Sequence, residues 1–321
     1  MSHESQINQS VLNRFSILAK AQRLAHAYLF IGPLDIGKGE TAIAVAKMIH
    51  CSNSGKESGC DACPTCLKIK AGTHPDVYTI DNGYRETITI EQIRVLLGKD
   101  RLKPFSGPRK VFIIRNIENM TIEGANAFLK TLEEPTASSL LLLTTSVSEK
   151  NLDTVRSRCQ AVYFPPQARR HLAGRLKQEY RLNDTDAHFL AYFAEGCPGR
   201  ARRLMDAGAI RLKDAAIEQA ILTRPSEAYI KEILVNEERT KDFLDILSSW
   251  LRDAVLLQSR AEDQQLIHWG RRRELGRFVE NYTLEELNGL NQAVMNMYRQ
   301  WADHLNVKLP LLIIGEQLWE K

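Results

Sequence analysis

Residues 27–48 read Ala27-Tyr28-Leu29-Phe30-Ile31-Gly32-Pro33-Leu34-Asp35-Ile36-Gly37-Lys38-Gly39-Glu40-Thr41-Ala42-Ile43-Ala44-Val45-Ala46-Lys47-Met48. The five apolar residues from Ala27 to Ile31 predict a buried strand, and Thr41 to Met48 predict a helix. Between them, Gly32, Gly37 and Lys38 keep the fixed positions of the phosphate-cradling loop G-x-x-x-x-G-K-[ST]. Strand, loop and helix in that order predict an α/β domain. In a working loop the backbone amides wrap the phosphates, the lysine reaches the outer ones, and the hydroxyl after it holds Mg²⁺. Gly39 has no oxygen to offer. Thr41 lies two residues further along the helix, turned by roughly 200°, and points elsewhere. Asp35 adds a carboxylate beside the anion nest, where at ~4 Å and an effective dielectric of ~20 it repels a phosphate charge by about 4 kcal/mol. Gly32, Gly37 and Lys38 are therefore the candidate nucleotide-binding residues of a degenerate loop, with ATP binding weak or absent.

The chain has 321 residues, 44% hydrophobic and 26% charged, enough for two or three domains with cores of their own. Its 43 Lys+Arg and 39 Asp+Glu leave a formal charge of +4, which permits contact with DNA or acidic partners without demanding it. No apolar stretch approaches the length of a membrane span, and Met1-Ser2-His3-Glu4-Ser5-Gln6 lacks the regions of a signal peptide. These features point to the cytoplasm.

Four of the six cysteines, Cys51, Cys60, Cys63 and Cys66, form a C-x8-C-x2-C-x2-C cluster. In a cytosolic chain that spacing favours a metal over disulfides. Four thiolates complete tetrahedral Zn²⁺ and leave no position for water, so the expected site is structural. An iron–sulfur cluster, or four unconnected thiols, are the other readings of the same residues. Gly59 and Pro64 suit tight turns beside the ligands, and Ser52 to Gly55 reads as a flexible approach. Cys159 and Cys197 stand alone.

Four further apolar runs, Val77–Ile80, Val111–Ile114, Leu140–Leu143 and Ala161–Phe164, alternate with helical segments, the pattern of a parallel sheet flanked by helices. Thr89 and Gln92 form a capping box opening a helix over Ile90–Leu97, and a second helix over Ala125–Glu133 must stop near Glu134 because Pro135 disfavours helical geometry before it. The first domain thus spans 1–164, with the cysteine excursion at 51–66. Pro165-Pro166 marks a linker, residues 165–208 read as a helical lid, and 209–321 as an all-helical domain. In the last, Phe243, Leu247, Trp250, Leu251 and Ala254 make one apolar stripe. Leu287, Leu290, Val294, Met297, Trp301 and Leu305 make another, opened by a Thr283/Glu286 capping box. Arg169-Arg170, Arg202-Arg203 and Arg271-Arg272-Arg273 invite a DNA-contact reading, but since no aromatic stacking pattern accompanies them they read first as solvated helix faces.

His26-Ala27-Tyr28-Leu29-Phe30 before the loop, His74-Pro75-Asp76 after the cysteines, Asn126-Ala127-Phe128-Leu129-Lys130-Thr131-Leu132-Glu133-Glu134-Pro135 and Ser157-Arg158-Cys159 occur in the order found in one family. With the damaged loop and the cysteine cluster, the chain resembles the delta prime subunit family of bacterial DNA polymerase III clamp loaders, which are AAA+ proteins. The resemblance covers most of the first domain, and the helical remainder matches only in general pattern. It implies a RecA-like sheet domain, a lid, and a helical domain that joins a ring-shaped collar. It also implies a catalytically silent stator within a hetero-oligomer of motor subunits, a clamp-opening delta subunit, the sliding clamp and, through the complex, primed DNA. Where an active relative carries the Asp-Glu pair that handles Mg²⁺ and water, this sequence has Arg115-Asn116, a second loss of metal chemistry beside Gly39. The Ser-Arg-Cys match implies that Arg158 is an arginine finger acting in trans on ATP held by a neighbour; Arg200 stands where a second sensor arginine would be, with packing of the lid as its other reading. An active motor ATPase and a zinc-containing DNA-binding module are the alternatives. Turnover by the isolated chain and salt-dependent DNA binding discriminate them.

Overall fold

The apolar run before the loop forms β1 (Ala27–Ile31) and the helix behind the loop is α2 (Lys38–His50), preceded by α1 (Gln9–Lys20). The computed structural model describes residues 8–53, 58–83, 87–146, 153–235 and 237–302, together with 314, 315 and 318. After α2 come α3 (Pro64–Lys70), β2 (Val77–Ile80), α4 (Ile90–Asp100), β3 (Lys110–Ile114), α5 (Ile122–Glu133), β4 (Ser139–Thr145), α6 (Asp153–Arg156) and β5 (Gln160–Tyr163). Among the described residues the sheet has five strands, all parallel, in the order β2-β3-β4-β1-β5.

Residues alternate between the two sheet faces with the strand period of two. Tyr28, Phe30, Val111, Ile113, Leu140 and Leu142 pack on one face with α1 and α2. Leu29, Ile31, Phe112, Ile114, Leu141 and Leu143 pack on the other with α4 and α5. Because both faces are covered, the central strands read as unbroken apolar runs, which is why they are legible in the sequence.

Helix ends follow their caps. Thr89 accepts from the amide of Gln92 while the Gln92 side chain accepts from the amide of Thr89, the expected capping box. The helix expected from Ala125 begins three residues earlier, at Ile122, because the Thr121 hydroxyl accepts from Gly124 N at 3.1 Å. It ends at Glu133, before Pro135, as expected.

The chain packs as two compact units, residues 1–167 with 196–200, and residues 168–195 with 201–321. The second contains α7 (Arg169–Tyr180), α8 (Asp184–Phe193), most of α9 (Pro198–Asp206), α10 (Ala209–Ala216), a π-helical turn at Ile217–Ile221, α11 (Glu227–Ile233), α12 (Glu237–Gln258), α13 (Arg272–Glu280) and α14 (Leu284–Ala302). Among the described residues, one core joins Leu172, Phe189 and Leu190 of the first two helices to both predicted stripes, from Phe243 to Ala254 and from Leu287 to Met297. Leu305 and the side chain of Trp301 lie outside the described residues. Among the described residues, no helix is long and apolar enough to cross a membrane.

Candidate functional site

The loop sits where β1 hands over to α2, at the carboxyl end of the parallel strands, the usual ligand crevice of such sheets. Gly37 is left-handed (φ 97°) and Asp35 also has positive φ, at 59°. The predicted residues Gly32, Gly37 and Lys38 come together there. Lys38 is buried, and its Nζ donates to the loop's own carbonyls at Gly32 (2.6 Å) and Pro33 (2.7 Å). Burial pulls this ammonium down to about 8, against the upward pull of the Glu118 and Asp35 carboxylates. The open cleft, about 240 Å³, is lined by Asp35, Lys38, Glu40, Asp81, Arg115 and Asn116 among others.

Arg115, the first residue after β3, reaches into this cleft. Its Nη2 lies 2.6 Å from Glu40 on α2 and its Nη1 2.6 Å from Asp81 beyond β2. Burial opposes the charge, but the two carboxylates outweigh it and hold the guanidinium above its ordinary value. A Cβ placed on Gly39 would fall 1.7 Å from Nη2 and 2.0 Å from Nε of Arg115. The sequence treats Gly39 and Arg115 as two independent losses; in space they are one arrangement, since the guanidinium fills the room a side chain at 39 would need. Asn116 adopts φ 55°, a conformation Asn tolerates, with its amide on Thr144 Oγ1 (3.1 Å) and its side-chain nitrogen on the Gly83 carbonyl (3.0 Å). Thr41 turns away from the cleft as expected, its hydroxyl donating to Gly37 O at 2.7 Å.

Arg158 follows α6 at the entrance to β5. Its Nη2 lies 2.5 Å from Glu133 Oε1, and its Nη1 donates to the Thr154 carbonyl (2.9 Å) and the Ser157 hydroxyl (3.2 Å). The side chain is 34% exposed, so the fork is held in place and still open to solvent.

The four cysteines converge, with their sulfurs all within 4.8 Å of one another. Tetrahedral zinc with Zn–S of about 2.3 Å puts sulfurs ~3.8 Å apart, so the group fits with small side-chain adjustments. Cys60 Sγ accepts from Cys63 N (3.2 Å), and Cys63 Sγ, at the N-cap of α3, accepts from Cys66 N (3.4 Å). These amides favour the thiolate: the one from Ala62 first and that from Cys63 next lower Cys60, and that from Cys66 brings Cys63 to about 6. Burial instead pushes Cys66 up to about 12. Lys47 of α2 pairs with Asp61, and Gly59 has φ 83° with no room for a Cβ, which would sit 2.7 Å from Lys47 Cβ. Ser54 and Gly55 lie outside the described residues.

Sequence reading missed the partners Glu40, Asp81 and Glu133, because each is an ordinary surface residue type far along the chain from the arginine it holds. Arg169, Arg170, Arg203, Arg272 and Arg273 of the arginine clusters are exposed, as expected of solvated helix faces, while Arg202 and Arg271 are half-buried. Arg271 is ringed by Asp214 (2.9 Å), Glu218 (2.7 Å) and Glu274 (3.0 Å), and Arg169 lies 4.3 Å over the Tyr192 ring.

These features define a P-loop α/β protein in which a guanidinium stands where metal-binding residues belong. The family model for "DNA polymerase III, delta subunit" matches residues 7–168 and that for its C-terminal part matches residues 219–318; the chain belongs to this family. It is 35% identical over 158 residues to the DNA polymerase III subunit delta prime of Bacillus subtilis, covering 49% of this chain and 47% of that one. It is 28% identical to the delta prime subunit of Escherichia coli over 74% of this chain and 71% of that one. The Bacillus subtilis tau subunit is 28% identical over 72% of this chain and 42% of its own length. The matched stretch thus spans about half the length of the first of these relatives.

Proposed function

We propose that this chain is the delta prime, non-hydrolysing subunit of a bacterial DNA polymerase III clamp loader, with an AAA+ sheet domain, that assists ATP-dependent loading of the sliding clamp on primed DNA. Arg115 seated against Gly39 carries the reading. Hydrolysis in this pocket would need a hydroxyl after Lys38 and a carboxylate after β3 to hold Mg²⁺, and both are replaced. Its partners are the loader's motor subunits, its clamp-opening delta subunit and the clamp, within a hetero-oligomer.

The chemical contribution is Arg158, delivered in trans to ATP bound by an adjacent motor subunit. A planar fork of donors meets the charge that develops on the transferring phosphoryl group, an effect worth ~10³ to 10⁵ in rate at the site it serves. Glu133, the Thr154 carbonyl and Ser157 hold the fork in place until a phosphate replaces the carboxylate. Cys51, Cys60, Cys63 and Cys66 hold structural zinc, which supplies no open coordination position and so takes no part in the chemistry.

The test is a loader reconstituted with this chain. The isolated chain turns over no ATP, and Arg158→Ala lowers turnover in the assembled loader by the share of the neighbouring site. Arg158→Lys falls nearly as far, because a point charge cannot reproduce the fork. Turnover by the isolated chain that vanishes with Lys38→Ala establishes a motor subunit instead, and unchanged turnover in the assembled Arg158→Ala loader removes the finger.

A further inference from the structure

We propose that Arg115 is a tethered stand-in for the magnesium ion of a phosphate loop, and that it holds the pocket in one shape whether or not nucleotide is offered. The proposal rests on the reading of the loop as degenerate and is independent of the chain's role toward its partners. It goes beyond loss of catalysis, because a pocket that has only lost its metal would be free to move.

Three observations carry it. The first is position: the guanidinium lies on the spot reached by a side chain at residue 39, the residue whose hydroxyl would otherwise hold the ion. The second is connection. Arg115 leaves the end of β3, which lies between β2 and β4 in the sheet, and clips Asp81 beyond β2 to Glu40 in the first turn of α2. A divalent ion coordinated by carboxylates would make similar links, but would come and go with its nucleotide; an arginine cannot leave. The third is charge. Asp35, Glu40, Asp81 and Glu118 surround two cations, and both cations are already engaged, Lys38 by the Gly32 and Pro33 carbonyls and Arg115 by its two carboxylates. A triphosphate entering the cleft would have to displace these acceptors and face the carboxylates they leave behind. Charge therefore opposes a triphosphate at the cleft lining.

Gly39 follows from Arg115. The end of an arginine is flexible and could swing away from a new Cβ, but Glu40 and Asp81 would then lose the cation between them. Substitution at 39 must therefore cost stability while Arg115 is present, and little once it is gone.

The experiment uses the full-length chain alone. Thermal unfolding is measured for Gly39→Ala, Arg115→Ala and the double variant, with amide exchange over residues 32–50 and calorimetry with ATP in Mg²⁺ or in EDTA. Gly39→Ala is expected to lower the melting temperature by about 2–4 °C, and the loss should disappear in the Arg115→Ala background. Wild-type exchange over 32–50 should not change with Mg²⁺-ATP, whereas Arg115→Ala should exchange faster there. Restoring the metal residues, Gly39→Thr with Arg115→Asp, should create ATP binding at least about tenfold stronger in Mg²⁺ than in EDTA, a gap of 1.4 kcal/mol or more. Equal cost of Gly39→Ala in both backgrounds, including failure to fold in both, overturns the proposal, as does Mg²⁺-ATP protection of residues 32–50 in the wild type. Should the restored variant not fold, the Gly39/Arg115 cycle decides the matter on its own.

Discussion

Asp76 shows what a single buried side chain does for the sheet domain. It is fully buried, and its carboxylate accepts from the amides of Phe105 (2.7 Å), Ser106 (2.7 Å) and Gly107 (3.0 Å) and from the Ser106 hydroxyl (3.2 Å). Burial alone would raise this carboxyl, but the converging amides hold it below its ordinary value. Asp76→Asn keeps the shape but turns an NH₂ toward amide donors, and is expected to destabilise the domain by about 1–3 kcal/mol at pH 7. Since the folded value is depressed, the contribution is present above the unfolded carboxylate value of about 3.9 and is lost as pH falls through the lower folded value. The gap between wild type and Asp76→Asn in chemical unfolding should therefore narrow below pH ~4; a gap that stays constant to acid pH contradicts the charge argument. Arg158 stands at the opposite extreme. Its pair with Glu133 is half exposed, and such pairs contribute about 0–1 kcal/mol. Arg158→Ala should thus leave unfolding stability within about 1 kcal/mol of wild type, and a larger loss would mean the arginine is structural. Single residues of this kind are only partly legible in a sequence. Asp76, Gly39, Arg115 and Arg158 are visible as members of motifs, but what each one holds is decided by residues that only the sheet topology brings near.

Elements are more legible, for physical reasons that differ between the units. The strands declare themselves because two covered faces demand unbroken apolar runs, and α4 declares itself through the Thr89/Gln92 box. The start of α5 does not, since Thr121 caps it with no reciprocal acid or amide at Gly124. That α7 and α8 share a core with the later helices is also hidden, because amphipathic spacing gives each helix a buried face without naming what covers it. The cysteine excursion is an element specified by chemistry instead of hydrophobicity. Cys63 caps α3 through its sulfur and Cys51 ends α2, so the metal would join two helices by their termini. Structural zinc contributes on the order of 10 kcal/mol in small peptide sites. One zinc per chain is expected by elemental analysis, with Cys63→Ser losing it and speeding amide exchange across α3 while the exchange of β1 and β4 is little changed. Metal-free wild-type protein would refute the assignment.

At the scale of the whole molecule, a formal charge of +4 and runs of arginine invite a nucleic-acid reading, and the ion pairs argue against it. Arg271 is held by three carboxylates, Arg272 by Asp263 at 2.8 Å, Arg202 by Asp206 at 3.8 Å, and Arg252 by Asp253 at 2.8 Å. A guanidinium already neutralised by its own chain releases few counterions when it meets a phosphate, and counterion release supplies most non-specific affinity. The isolated chain should accordingly bind primed DNA no more tightly than about 10⁻⁴ to 10⁻⁶ M at physiological salt, with a log–log salt slope shallower than about −3. Titration by fluorescence anisotropy between low and physiological salt measures both quantities. A steep slope near −6 with sub-micromolar affinity would favour a zinc-containing DNA-binding module over a subunit that reaches DNA only through its complex. If the chain works as proposed, mixing it with motor and clamp-opening subunits should instead steepen the salt slope and tighten DNA binding, because the added phosphate contacts would come from the other subunits and not from this protein's arginines.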